Sequence, residues 1–182
     1  MASRLISLLA SICLVLIAGC ESAPWVPLVT AMVPPEIHPS PVVSKKTLLM
    51  GEVKGGEKTT LVSGSKIEDS GFRDALLESL RKSSLFINVA VTQDKGSDYR
   101  LDAEILSQEM HPPPISPTAT LYARYVLTDL HTNGEWAESI FSKYNGSFEL
   151  YGDRKANEGA VRSNLMQFVE KLSKYLGQQQ NN

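Results

Sequence analysis

The chain has 182 residues, with 18 lysine and arginine side chains against 20 aspartate and glutamate side chains and a formal net charge of −2. This near balance gives no electrostatic support for nucleic-acid binding, and no basic run predicts a surface for phosphate or lipid head groups. The length suits one domain with its own core better than two.

The amino terminus has the layout of a secretory signal. A positive charge at Arg4 is followed by an apolar run, and the run ends in two small residues and Cys20. The run is too short for a comfortable membrane span, so a cleaved signal is the better interpretation. An ordinary secretory signal with an incidental cysteine is the alternative.

The residues Ile17-Ala18-Gly19-Cys20 resemble the lipobox of bacterial lipoproteins. The resemblance implies cleavage between Gly19 and Cys20, a diacylglycerol on the Cys20 thiol, and an acyl group such as palmitate on the new amino terminus. Two or three chains would anchor the protein lastingly, because each buried methylene contributes about 0.8 kcal/mol. Aspartate after the cysteine tends to retain such lipoproteins at the inner membrane, so Glu21 favours the periplasmic face of the outer membrane.

Cleavage would leave 163 residues with 17 basic and 20 acidic side chains. Cys13 leaves with the signal and Cys20 carries lipid, so no cysteine remains to form a disulfide in a compartment that permits them. The fold is therefore expected to depend on packing alone.

Composition divides the chain into a signal peptide over 1–19, a lipidated cysteine with a proline-rich tether over 20–46, a single α+β domain over 47–177, and a disordered tail over 178–182. The prolines of the tether predict an extended segment without helix. Its first part, Pro24–Val29, is apolar for a linker and could instead lie on the domain or on a partner.

Periodicity predicts the elements of the domain. Strands are expected over 47–53, 86–92 and 99–105, with a turn over 54–57 and a possible return strand over 59–62. Helices are expected over 69–83 and about 157–177. A hairpin that turns at Asn133-Gly134 is expected to join strands over 119–130 and 135–148. The order predicts an α+β fold, an antiparallel or mixed sheet with two helices packed on one face. In the last helix, the positions expected to face water are Arg162, Asn164, Gln167, Glu170 and Lys174.

The sequence contains no catalytic constellation. Its three histidines, His38, His111 and His131, share no ligand spacing with each other or with a cysteine. We therefore expect no catalytic residue, no cofactor and no metal, and a protein that is not an enzyme.

Two features are candidate interaction surfaces. The first is the set of hairpin aromatics, of which at least half must be core, and the candidates to contact a partner are Tyr122, Tyr125, Trp136 and Tyr144. Phe141 and Phe148 belong to the same set. The second is the stiff proline-rich loop over 111–117, which is otherwise a plain connector.

The succession of residues 72–80, 84–86, 98–105 and 125–129 with the Asn-Gly turn resembles a run found in small envelope lipoproteins. These have folds like the amino-terminal domain of the Tol propeller protein, or like the lipopolysaccharide-assembly lipoprotein that plugs an outer-membrane barrel. The resemblance implies fold and location.

Together these features predict a lipid-anchored periplasmic accessory or scaffold lipoprotein. It would dock on another envelope protein and assist an assembly or transport machine. The alternative is a carrier that holds a lipid or another apolar ligand between the sheet and the helices.

Overall fold

The computed structural model describes residues 26–40, 44–60, 63–92, 96–111, 116–147 and 149–179. The signal, the lipobox and Cys20 lie outside these residues. The elements in chain order are α1 Val29–Met32, β1 Ser44–Lys54, α2 Asp69–Ser83, β2 Phe86–Ala90, β3 Tyr99–His111, β4 Thr118–Asp129, β5 Glu135–Asn145 and α3 Gly152–Gln179. The predicted α+β class is confirmed.

The five strands form one mixed sheet in the order β2-β1-β3-β4-β5. β1 is parallel to both β2 and β3, while β3, β4 and β5 form an antiparallel meander. The chain can return to a parallel neighbour after β1 because α2 supplies the crossover that parallel strands require. In the described part of the chain, β2 and β5 are the two edges of the sheet.

Both long helices cover the same face of the sheet, here called the helix-covered face; the opposite face is called the open face. Tyr125 of β4 shows the arrangement, since its ring stacks on Phe168 of α3 with centroids 3.9 Å apart and lies 6.3 Å from Phe72 of α2. Alternate residues of β4 are buried on that face: Ala119, Leu121, Ala123, Tyr125 and Leu127. The remaining β4 side chains belong to the open face.

A buried polar network corrects the prediction that Asn164 faces water. Asn164 is fully buried, its Oδ1 accepts a hydrogen bond from the Tyr125 hydroxyl at 2.6 Å, and its Nδ2 donates to the Ile140 carbonyl at 2.9 Å. Burial raises the pKa of Tyr125 well above its usual value. An amide can occupy the core here because both of its ends find partners.

The carboxyl-terminal helix is longer than predicted at both ends. It begins at Gly152 and continues through Gly177 to Gln179. Gly177 does not adopt the positive φ of a helix-ending glycine, and Leu176, which is 2% exposed, packs the last turn onto the core. The expectation of a tail beginning at residue 178 is therefore wrong at its first two positions, and 180–182 lie outside the described residues.

The segment over 26–33, here called the strap, was predicted to contain no helix and instead includes α1. Met32 and Val33 are buried in the same core as the sheet and helices. The Leu28 N–H donates to Glu158 Oε1 at 2.9 Å, and the Arg162 guanidinium donates to the Ala31 carbonyl at 2.7 Å. The apolar residues among the prolines cover the helix layer, so the domain extends amino-terminally beyond residue 47.

The possible return strand predicted over 59–62 is not formed at Thr59 and Thr60, which are its described residues. Thr60 forms one isolated bridge with Gly64, and residues 61 and 62 lie outside the described residues. Side chains hold the loop between β1 and α2 instead, because Gln108 Oε1 accepts the Ile67 N–H at 2.8 Å and its Nε2 donates to the Ile67 carbonyl at 3.1 Å.

Asp98 fastens one end of the sheet. Its carboxylate accepts the Thr47 N–H at 2.7 Å, pairs with Lys46 Nζ at 3.3 Å, and lies 3.2 Å from Nε2 of His131 in the β4–β5 loop. The hydrogen bond from the Thr47 backbone, helped by bonds from the Thr47 hydroxyl, His131 and Lys46, holds the pKa of Asp98 well below its usual value.

This arrangement predicts an acid-sensitive contribution to stability. Because the pKa of Asp98 is lower in the folded than in the unfolded chain, the stabilisation is present above about pH 4 and is lost as the pH falls towards the folded value. Asp98→Asn should lower the free energy of unfolding by about 1 kcal/mol at pH 7 and flatten its decline below about pH 5. Urea titrations at several pH values measure both, and an unchanged acid slope in the variant would contradict this role.

Candidate interaction surface on the open face

The structure separates the four predicted interaction residues. Tyr122 lies on the open face and is 38% exposed, whereas Tyr125 is completely buried. Trp136 is half-buried on the helix-covered side, where its ring stacks on Tyr175 at 5.1 Å. Tyr144 is 41% exposed, and its ring lies against Gly159 of α3. The burial of Tyr125 contradicts its predicted role as a contact, and Tyr122 is the member that the open face presents.

Three large apolar side chains form an exposed row across the open face. Tyr122 on β4 pairs in register with Phe141 on β5 and with Ser107 on β3. Leu106 adjoins Ser107 at a β-bulge. The exposed fractions of Leu106 and Phe141 are 44% and 58%. Residues Leu106, Tyr122 and Phe141, here called the apolar row, lie on three neighbouring strands, and exposed apolar groups that lie near each other are candidates for an interaction site.

A cleft of about 370 Å³ continues the open face beyond the apolar row. Its charged lining is arranged in ion pairs, with Lys54 Nζ 3.4 Å from Glu104 and the Arg100 guanidinium 2.8 Å from Asp102. Arg124 of β4 stands beside Glu104 in register and also lines the cleft. Both signs of charge border an apolar patch, as in the polar rim of a protein interface.

Backbone geometry fixes part of this charged lining. Asp102 Oδ1 also accepts the N–H of Glu52 at 2.7 Å, where β1 shifts register against β3. A Cβ added at Gly51 would lie 2.2 Å from the same oxygen, so a larger residue there would displace the Asp102 carboxylate from this position. The cleft is therefore held by the fold and does not depend on surface ion pairing alone.

The geometry of the interior bears on the carrier alternative. A ligand held between the layers would need space where the Tyr125 and Phe168 rings stack at 3.9 Å and Phe72 packs beside them. These side chains fill that part of the interior. Concave surfaces in the described part of the chain lie outside the two layers, one on the open face and others between the strap and α2.

The described residues contain no group of three histidine, cysteine, aspartate or glutamate side chains placed to hold a metal ion. Within the same ranges, no helix combines the length and apolarity needed to cross a membrane. Of the proline-rich loop over 111–117, residues 112–115 lie outside the described residues, so its role as a surface stays a prediction.

The sequence interpretation missed Leu106. Strict alternation was recognised only up to Ile105, while β3 continues to His111 through the bulge at 106 and 107. The bulge places two consecutive exposed residues between buried Ile105 and buried Gln108. A single break in alternation followed by renewed alternation was the available signal.

No protein-family model matches the chain, and no curated protein matches it. Among solved structures, the fold is similar to protein XCC0632 from Xanthomonas campestris, of family DUF330, at a TM-score of 0.62 and 16% identity over 86% of this chain and 98% of that chain. It is also similar to hypothetical protein CT253 from Chlamydia trachomatis, at a TM-score of 0.56 and 14% identity over 73% of this chain and 98% of that chain.

Lipoproteins occur among the more distant structural neighbours. Lipoprotein GNA1162 from Neisseria meningitidis matches at a TM-score of 0.44 and 12% identity, over 69% of this chain and 99% of that chain. At that score the match supports no inference about this chain. The similarity to XCC0632 and CT253 shows a shared fold, which in this chain is a mixed five-stranded sheet with helices on it.

Proposed function

We propose that the protein is a lipid-anchored, non-enzymatic accessory lipoprotein of the cell envelope, on the periplasmic face of the outer membrane, and that it binds another envelope protein through the open face. The observation that supports this most directly is the apolar row, exposed at the centre of three strands and bordered by the charged cleft. An antiparallel sheet whose second face served only as a solvated surface would place polar residues there.

Two observations support the proposed anchor, namely the lipobox at Ile17–Cys20 and the position of the strap. Leu28 and Ala31 are hydrogen-bonded to α3, so the chain enters the domain on the helix layer. Cys20 precedes Val26 by six residues, a reach of at most about 20 Å. Acylation at Cys20 would therefore keep the helix layer near the bilayer and leave the open face accessible from the periplasm.

Photo-crosslinking in cells tests the binding surface. A photoreactive amino acid at Tyr122 of the full chain should give a defined adduct with a different envelope protein, identified by mass spectrometry. The matched control places the same probe at Lys82, an exposed residue of α2, where no such adduct is expected. An absent adduct at Tyr122, or the same adduct at both positions, would contradict docking through the open face.

A further inference from the structure

β5 presents a long strand edge. It has 11 residues, and within the described ranges only β4 pairs with it. Along such an edge, the backbone N–H and C=O groups of alternate residues point outward and can pair with another strand. The residues of β5 on the open face are Glu135, Ala137, Ser139, Phe141 and Lys143.

We propose that β5 pairs antiparallel with β5 of a second copy of this chain, across a two-fold axis at Ser139, to join two sheets into one. A two-fold axis perpendicular to the sheet keeps the open faces of both copies on the same side. Each open-face residue of β5 must therefore lie opposite an open-face residue of the partner's β5. Centred on Ser139, this register places Lys143 opposite the partner's Glu135 and Phe141 opposite the partner's Ala137. Each of these pairs occurs twice.

Charge complementarity selects this register over its neighbours. With the axis at Ile140, Lys143 would face the partner's Ala137, and with the axis at Phe141 it would face the partner's Ser139. With the axis at Glu138, Lys143 would face the partner's Asn133, which lies outside β5, so this register also lacks the charge pair. Glu135 and Lys143 are both exposed, which leaves them accessible for pairing.

The same symmetry allows both copies to be anchored in one membrane. A two-fold axis perpendicular to the sheet puts both helix layers on one side, and the strap of each copy enters its helix layer. Both amino-terminal segments therefore leave the dimer towards the same side. Confinement of both copies to one membrane would raise their effective concentration, so a modest edge contact suffices.

Cysteine crosslinking of the full chain in bacterial membranes tests the pairing. Ser139→Cys places one thiol on the axis, where antiparallel Cα atoms lie about 5.5 Å apart, within the range of a disulfide. Mild oxidation should give a dimer on a non-reducing gel. The unsubstituted chain controls for Cys13 and Cys20, and Ser107→Cys is the matched control, an exposed serine two strands in from the edge.

Charge reversal tests the register. In the Ser139→Cys background, Lys143→Glu should reduce dimer formation about five-fold, because two attractive cross-strand pairs become repulsive. Adding Glu135→Lys to Lys143→Glu should restore it. Equal dimer yields from Ser139→Cys and Ser107→Cys would overturn the edge pairing, and failure of the double reversal to restore the dimer would overturn the register at Ser139.

Discussion

Replacing Asn164 by alanine should lower the free energy of unfolding by about 2–4 kcal/mol, the largest stability effect expected from a single polar residue of the domain. The substitution removes the acceptor of the Tyr125 hydroxyl and the donor to the Ile140 carbonyl, and both groups would stay buried. Unsatisfied buried groups lose their solvation without compensation. Urea unfolding followed by tryptophan fluorescence measures the change.

A double-mutant cycle separates the hydrogen bond from the packing. Tyr125→Phe should cost about 1–2 kcal/mol, because it leaves the Asn164 amide oxygen without its donor. The cycle compares Tyr125→Phe, Asn164→Leu and the double variant. The double variant should lose less free energy of unfolding than the sum of the losses in the two single variants, since the apolar pair leaves fewer unpaired groups in the core. A cost below about 0.5 kcal/mol for Asn164→Ala, or strict additivity, would show that the network contributes little.

Replacing Cys20 by serine should move the protein from the membrane to the soluble fraction, a change of more than ten-fold in its distribution. The reason is the proposed anchor, because two or three acyl chains hold a protein on a bilayer and a serine hydroxyl cannot form the thioether. Cell fractionation with detergent phase separation measures the effect. Cys13→Ser is the matched control and should leave the protein on the membrane, since Cys13 belongs to the signal.

Retention of Cys20→Ser on the membrane would have a specific meaning. It would show that the variant is attached through its uncleaved signal or through a bound partner, and only retention of a variant that has lost residues 1–19 would contradict the anchor. A variant that fails to accumulate is distinguished by its abundance in the whole-cell lysate, which the fractionation measures in parallel.

Local periodicity predicted the elements that depend on their own sequence. The helix over 69–83 has the expected bounds, because its apolar residues repeat at helical spacing and Phe72, Leu76 and Leu80 reach the core. The hairpin was found from Asn133-Gly134, where Asn133 adopts a φ of +57°. Only part of that turn was anticipated, since the Asp129 carboxylate also accepts two backbone N–H groups of the loop.

Features that depend on distant partners were not predictable from pattern. Asn164 is polar and was assigned to water, yet Tyr125, 39 positions away, makes its burial stable. The prolines of the strap predict a tether, whereas its packing depends on Glu158 and Arg162 far along the chain. The parallel order of β1 with β2 and β3 is a further tertiary property that no local signal specifies.

The candidate surface was found in outline and corrected in detail. Aromatics of the hairpin were predicted on both faces of the sheet, and the structure assigns Tyr125 to the core and Tyr122 to the open face. Alternation alone could not decide which face of the sheet is buried, because apolar residues occupy both the odd-numbered and the even-numbered positions of β4. Burial against α2 and α3 decides it.

The lipid anchor determines where the open face is presented, and docking on an envelope protein therefore depends on it first. Metabolic labelling with radioactive palmitate is the most direct test. We expect the full chain to incorporate label and Cys20→Ser to incorporate none, with the unsubstituted protein in the detergent phase. An unlabelled chain that partitions into the aqueous phase would contradict the account.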